Sequence, residues 1–339
     1  MTAAPDTLDA ERFSSLGETP LVFVDLGEPG AARRVEALQR TPAIVCGVDA
    51  AGLRPPVEPE LFDILLTTRE TGFPAPLPCP WAVVSAARLG SRLATIAATV
   101  ERAPIAAAVL RDVLRLTQGL ALEAALTVES LAYSTLLGGA EFGRWRDANR
   151  QPSADHQPGR VEIRRDANLV TVTLASPSTH NAMDAAMRDD LFGALASVVD
   201  DPTEPRIRLA GAGPCFSVGG ALHEFGHSQD LARAHAIRTL RSCARLLGRL
   251  GSRSEAVIHG ACIGAGLEIS AAAGRRFAHA GAYFHLPELQ MGLIPGAGGT
   301  ATVPRAIGRH RTAYMALTGR RVRAREALAW GLVHAVSGS

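Results

Sequence analysis

Lysine is absent from this 339-residue chain: all 35 of its basic residues are arginine, a bias that points to coding composition before it points to function. No block of like charges occurs either, and the formal net charge is only +2. The chain therefore carries no electrostatic footprint for nucleic acid or an anionic membrane, and an anionic partner would be small. Cysteine is sparse. The five thiols at Cys46, Cys79, Cys215, Cys243 and Cys262 are odd in number and form no CxxC pair, which argues against a disulfide framework or a zinc site and suits a reducing compartment. Nowhere do about 18 apolar residues run uninterrupted, as a membrane span requires. Met1 to Leu16 is polar and acidic, without a basic segment followed by an apolar run, so no signal peptide is expected. The expectation is a soluble, cytoplasmic protein. Aromatic residues are few, at 5%, and mark no recognisable lid.

What is present is ample core material. Hydrophobic residues make up 47% of a chain long enough for one large domain or two ordinary ones. Leu21 to Leu26 and Pro42 to Val48 are short apolar runs bounded by Gly, Pro and Asp, and they read as strands. Ala31 to Arg40 between them has helical spacing, which gives the opening a βαβ character. Trp81 to Trp145 is rich in Ala and Leu, with helical periodicity broken near Pro104 and Gly119, and predicts two or three packed helices. The polar stretch 151–159 (QPSADHQPG) has two prolines and no apolar period. It divides the chain into an N-terminal α/β and helical region (1–150), a linker (151–159) and a second region (160–339).

In the second region Val161 to Ile163, Leu169 to Leu174, Ile207 to Ala210 and Ala256 to His259 read as strands. Ala185 to Val199, Ala234 to Leu250 and Leu267 to Ala273 read as helices, and Leu286 to Leu293 as a loop region with a short strand. Repeated strand, turn and helix units predict an α/β domain with largely parallel strands.

Three segments carry chemistry. Gly211 to Phe225 (GAGPCFSVGGALHEF) runs from a strand into a turn where Gly219 and Gly220 allow a ligand to approach the backbone closely. His259 to Ser270 (HGACIGAGLEIS) places Gly264, Ala265 and Gly266 just before a helix carrying Glu268. A carboxylate in a first helical turn is also an ordinary dipole partner, so Glu268 alone proves nothing. Pro287 to Thr300 (PELQMGLIPGAGGT) joins Glu288 to a Gly-rich turn that lacks the GK[ST] ending of a phosphate-binding loop.

Together with His180-Asn181-Ala182-Met183, these segments resemble the linked motifs of the enoyl-CoA hydratase/isomerase (crotonase) superfamily. The first matches its NAL/NAM segment, Phe216 to Leu222 its F-x-x-G-x-D-L segment, and Gly264 to Glu268 its G-x-G-x-E helix start. Pro287-Glu288 with Ile294 to Thr300 matches its P-E followed by I-P-G-x-G-G-T. The likeness spans Arg160 to Val336.

The resemblance implies a crotonase-like spiral of ββα units in the second half, preceded by a smaller α/β and helical region. It implies an oxyanion hole made by the N–H groups of Gly220 and Ala265, with Glu268 and Glu288 as the two working carboxylates of a hydro-lyase. Glu268 would activate water and Glu288 would protonate the α-carbon, their protonation being coupled. The resemblance extends substrate and CoA binding to His180, Asn181, Ala182, Val218, Gly219, Gly264, Pro295 and Gly296. Arg238 and Arg241 are candidates for the CoA phosphates, although a solvated helix face is their plainer reading. Coenzyme A enters as part of the substrate, with no metal or redox cofactor. The expected assembly is a homotrimer or dimer of trimers.

Two positions depart from the family pattern. Ala221 stands where an acidic residue is common, and Gly274 where an Asp often follows A-C. The chain also stops at Ser339, where family members continue into helices that cover the site and build the trimer. Val84 to Trp145 resembles that missing helical end, and the strands before it resemble a decayed, rearranged copy of the core. Other reactions on the same oxyanion hole remain open: isomerisation, thioester hydrolysis, C–C cleavage, or cofactor-free oxygenation of an aryl-acetyl-CoA. A non-catalytic acyl-CoA-binding protein is the alternative from a different class.

Overall fold

The computed structural model describes residues 7–69, 79–149 and 157–338. Most of the expected linker, at 151–156, lies outside them. Its last residue, Gly159, donates its N–H to Asp184 Oδ2 at 2.8 Å.

In the first half, α1 (Thr7–Arg12) leads into a four-stranded parallel sheet of β1 (Leu21–Asp25), β2 (Ile44–Asp49), β3 (Ile64–Thr67) and β4 (Trp81–Val83), in that order. α2 (Ala31–Leu38) makes the first crossover. β2 and β3 are buried along their whole length, as central parallel strands are, which is why Pro42 to Val48 reads as a continuous apolar run. Four helices follow: α3 (Ala86–Arg102), α4 (Pro104–Leu116), α5 (Leu122–Leu137) and α6 (Ala140–Ala148). The anticipated breaks near Pro104 and Gly119 are present, but Gly138-Gly139 adds a third, and Trp81 belongs to a strand, not a helix. β3 and β4 are too short to show a period of their own.

The second half begins with β5 (Val161–Asp166), β6 (Leu169–Leu174), α7 (Ala185–Val199) and β7 (Arg206–Gly211). β6 alternates half-buried and buried residues, so Val170, Val172 and Leu174 share one face toward the core. α8 (Leu231–Leu240) and α9 (Cys243–Leu250) replace the single helix expected over Ala234 to Leu250. The break is chemical. Ser242 leaves helical geometry and its Oγ accepts the Arg245 N–H at 3.3 Å, starting a new helix as an N-cap.

β8 (Ser254–Ile258), β9 (Ala261–Ile263), α10 (Ala265–Ser270), β10 (Arg275–His279) and β11 (Tyr283–His285) come next. α11 (Gly299–Ile307), α12 (Arg309–Thr318), β12 (Val322–Arg323), α13 (Ala324–Trp330) and β13 (Ala335–Ser337) complete the chain. One six-stranded sheet has the order β13-β10-β8-β7-β6-β5 and a three-stranded sheet the order β12-β11-β9. All pairs are parallel except β5 with β6 and β11 with β12. Strand, turn and helix units wound in this way form the α/β fold expected for the second half. The strand expected within Leu286 to Leu293 lies just before it, at β11, and Glu288–Met291 is a turn of 3₁₀ helix.

The largest core cluster draws on both halves, joining Ile44, Leu110 and Phe142 to Leu191, Phe284 and Tyr314. The seam contains ion pairs as well as apolar contacts. α12 is buried from end to end, and its Arg309 donates to the carbonyls of Phe62 (2.7 Å) and Glu60 (3.0 Å), while Arg311 Nε donates to that of Trp81 (2.9 Å). Asp63, held by Arg115 Nε at 2.6 Å within the first half, lies 3.8 Å from Arg309 Nη1 across the seam. Among the described residues no single helix is long and apolar enough to cross a membrane.

Candidate active site

The site is assembled where two glycine turns meet back to back. Ser217 N–H donates to Ala261 O and Ile263 N–H to Ser217 O, both at 3.0 Å, which ties the segment 217–221 alongside β9. Gly219 has φ +94° and Gly264 φ +45°, backbone conformations that L side chains rarely adopt. Space is equally restrictive. A Cβ on Gly219 would lie 3.0 Å from Ile263 O, and one on Gly264 would lie 2.8 Å from Glu288 Oε1 and 3.8 Å from Gly219 Cα.

Bonds on either side hold Gly220 in place: Met183 N–H to Gly219 O (2.7 Å) and Ala221 N–H to Met183 O (3.0 Å). The N–H groups of Gly220 and Ala265 themselves find no acceptor among the described residues. Both residues line a cavity of about 390 Å³, so two outward-facing donors await an acceptor there.

Register brings the carboxylates to the same place. β9 and β11 pair in parallel with Ile263 opposite His285, and Gly264 N–H donates to His285 O at 3.0 Å. Glu288, three residues beyond β11, therefore stands beside Gly264. Glu268 is only 2% exposed, and its Oε2 accepts the N–H groups of Ala297 (2.6 Å) and Gly299 (2.9 Å). Both of these bonds end on one oxygen, and the Gly296 N–H also acts to lower the carboxyl. Glu288 is 6% exposed and its Oε2 is buried with no hydrogen-bond partner among the described residues. Burial pushes both carboxyls above the usual carboxylate range, and the neighbouring Glu268 charge raises Glu288 further. They form an interacting pair.

A third carboxylate, absent from the sequence expectations, comes from the first half. Glu129 on α5 is 1% exposed. Its Oε1 accepts Gly298 N–H (2.6 Å), and its Oε2 accepts Thr300 N–H (2.6 Å) and Thr300 Oγ1–H (2.7 Å). Burial again raises this carboxyl, as does the Glu268 charge, against the lowering effect of its donors. Tyr133, one helical turn on, packs over Gly296, where a Cβ would meet its ring at 2.5 Å. Burial raises its phenol, which the carboxylates of Glu268, Glu288 and Glu129 also face. A signal for this wall does exist in the sequence: Glu129 and Tyr133 fall at helical spacing with Ala125, Leu126 and Leu136, on the buried face of α5.

The family model for enoyl-CoA hydratase/isomerase matches residues 164–339, just over half of the chain. The chain belongs to the enoyl-CoA hydratase/isomerase family. Among curated relatives, the Bacillus subtilis protein YngF, named for the same family, is 33% identical over 174 residues, 51% of this chain and 67% of that protein. A mevalonyl-coenzyme A hydratase of Beauveria bassiana is 30% identical over 175 residues, covering 49% of this chain and 62% of that one. The chain thus spans about two thirds or less of these relatives' lengths. Of solved structures, an enoyl-CoA hydratase from Thermoplasma volcanium is 32% identical, covering 52% of this chain and 71% of its own, with a TM-score of 0.48. One from Bacillus anthracis is 30% identical, covering 53% and 70%, with a TM-score of 0.49.

Within this hydratase/isomerase site, Val218, Gly219, Gly264 and Gly296 line the cavity with the two glutamates and the two free amides. His180, Asn181, Ala182 and Pro295 are not among the lining residues; they stand behind it. His180 adopts φ +55° and its carbonyl accepts Val218 N–H at 3.1 Å. Asn181 is fully buried. Its Nδ2 donates to the carbonyls of Ala212, Cys215 and Phe216 at 2.8 to 3.1 Å, and its Oδ1 accepts Ser176 N–H at 3.0 Å. Asn181 therefore fixes the loop that carries Gly219 and Gly220. Ala182 closes the turn through its N–H to Thr179 O.

Arg238 and Arg241 both line the cavity, but the Arg238 guanidinium is engaged, donating to Ser130 Oγ (3.0 Å) and Ser134 Oγ (2.5 Å) and lying 4.7 Å from the Tyr133 ring centre, which clamps α8 to α5. Arg241 is exposed and stacks 5.5 Å from the Phe192 ring. At the two departures from the family pattern, Ala221 is buried with its N–H used, and Gly274 has no room for a side chain, since a Cβ would lie 2.2 Å from Gly251 O. The missing acids are positions where this chain packs backbone.

Proposed function

We propose that this protein adds water across the 2,3 double bond of an enoyl-CoA thioester. One observation carries the reading: two buried carboxylates, Glu268 and Glu288, share a cavity with the unpaired N–H groups of Gly220 and Ala265. The thioester oxygen would accept both N–H groups. Water, held by Glu268, would attack C3 while its proton passes to that carboxylate. The electron pair of the double bond moves toward the thioester, whose oxygen becomes an enolate stabilised by the two donors. Glu288 then delivers its proton to C2, giving a 3-hydroxyacyl-CoA, and the proton gained by Glu268 restores the pair.

An isomerisation needs one group to move a proton between two carbons, whereas two carboxylates facing one space suit the paired proton transfers of hydration. No metal or redox group enters the step, and coenzyme A comes with the substrate. α5 would act as the cover that shuts water out above the turn 296–300. A homotrimer or dimer of trimers in the cytoplasm accompanies this reading, and light scattering of the full chain would check the assembly.

The test is a panel of trans-2-enoyl-CoA thioesters from crotonyl-CoA upward, with loss of enoyl absorbance as the readout. Acyl-CoA binding without turnover of any member would overturn the proposal.

A further inference from the structure

We propose that Glu129 is a positioning residue, a fixed anion that holds the site's exchangeable proton on Glu288 and so keeps Glu288 an acid. Three carboxylates in one dry pocket cannot all be ionised, because like charges in low dielectric exclude one another. The one with most donors keeps its charge. Glu129 accepts three donors spread over both oxygens, Glu268 accepts two on Oε2, and Glu288 Oε2 accepts none. Protonation of Glu129 would put a hydroxyl hydrogen against N–H and O–H groups that already point at it. At Glu288 Oε2 no donor among the described residues opposes a proton.

Other groups around Glu129 support the assignment. Glu268 faces it from α10 and Glu288 from the 3₁₀ turn. Thr300 faces it from α11, and Tyr133, on its own helix, cannot ionise at neutral pH because burial raises the phenol. From α8, Arg238 is the cation in reach, interacting with Glu129 from the far side of Ser130, and His235 touches that same serine hydroxyl at 2.9 Å. Three donors hold the charge on Glu129 against the raising effect of burial and of the Glu268 charge, and Glu288 receives its repulsion. Through Glu129, the first half of the chain contributes to proton placement as well as to cover.

This inference rests on the hydration reading for its catalytic meaning, so its test uses a readout that needs no turnover. In the full chain labelled with ¹³C at the glutamate carboxyl, the Glu268 and Glu288 signals are assigned by Gln substitution and titrated from acid to alkaline pH. Glu129→Gln is expected to move the Glu288 titration down by about one pH unit or more. Thr300→Val, which deletes a donor to Glu129 but leaves its charge, is expected to produce no downward move. An unmoved Glu288 in Glu129→Gln, or an equal fall in Thr300→Val, overturns the proposal. Should Glu129→Gln fail to fold, Glu129→Ala serves in its place: the same downward move of the Glu288 titration is expected, and an unmoved titration overturns the proposal. Where wild type hydrates enoyl-CoA, the alkaline limb of kcat/KM in Glu129→Gln should fall with the titration. Wild type without turnover sinks the hydration reading alone, and the carboxyl titration still decides on Glu129.

Discussion

Glu129 and Glu268 divide one backbone turn between them: Glu268 takes the N–H groups of Ala297 and Gly299, and Glu129 takes those of Gly298 and Thr300. Four consecutive amides are thus shared alternately by two carboxylates from opposite halves of the chain. The turn leads into α11, so these charges also satisfy a helix start whose first N–H groups have no partner within the helix. A residue expected to handle water is thereby also a structural anchor.

That double role separates the two catalytic candidates. Glu288→Gln should lower kcat roughly 10²- to 10⁴-fold, the usual worth of a positioned acid, with no loss of stability. Glu268→Ala should lose activity by at least as much and also lose stability, because no oxygen is left to accept the N–H groups of Ala297 and Gly299. Turnover of crotonyl-CoA together with denaturant midpoints checks both. Near-normal turnover in either variant would remove that residue from the mechanism.

The Glu268–Glu288 pair was legible in the sequence because its members sit in linked short motifs. Strand pairing of β9 with β11 then closes the distance between them. β6 and α7 were equally legible, since alternation in the one and an Asp184 cap on the other are local signals. Glu129 was not, for two physical reasons. It lies in an Ala/Leu-rich helix whose period announces burial without naming a partner, and the turn it holds is some 170 residues away in sequence. Splitting of the helix at Ser242 was missed because one hydroxyl cap outweighed a continuous apolar period.

The proposed oxyanion hole gives a second prediction. Gly219→Ala would force a side chain into φ +94° and against Ile263 O, tilting the Gly220 amide out of line. Loss of one such donor costs about 3 kcal/mol, or roughly a 100-fold fall in kcat. Affinity for a saturated acyl-CoA should change far less. An equal loss in affinity and kcat would show that Gly219 shapes binding alone.

Stability against pH follows from the raised carboxyls. A carboxyl whose folded value lies above its ordinary 4.5 holds its proton longer in the native state, so the unfolded state loses protons first as pH rises. The contribution of these two carboxyls to stability is therefore fully present below about 4.5 and declines as pH climbs through the folded values of Glu268 and Glu288. Glu288→Gln removes a buried group with no partner on Oε2 and should flatten this decline. Thermal melts at pH 5 and pH 8 should show the variant gaining on wild type only at the higher pH; parallel curves would contradict the assignment.

Asn181 supplies the last test, one of scaffolding and not of chemistry. Its side chain holds three carbonyls and one N–H from the segments that flank the Gly219 turn, and it is wholly buried. Asn181→Ala leaves four polar groups to find water they cannot reach. Unsatisfied buried groups cost about 1–3 kcal/mol each, partly relieved by local movement, so a loss of at least about 2 kcal/mol is expected. Asn181→Asp keeps the acceptor for Ser176 N–H but sets a carboxylate against three carbonyl oxygens, and should be no better. Because the loop bearing Gly220 relaxes with it, kcat should fall in both variants, even though Asn181 does not line the cavity. Urea unfolding and crotonyl-CoA turnover measured on the same preparations distinguish this from direct substrate contact, which would raise KM and leave the unfolding midpoint in place.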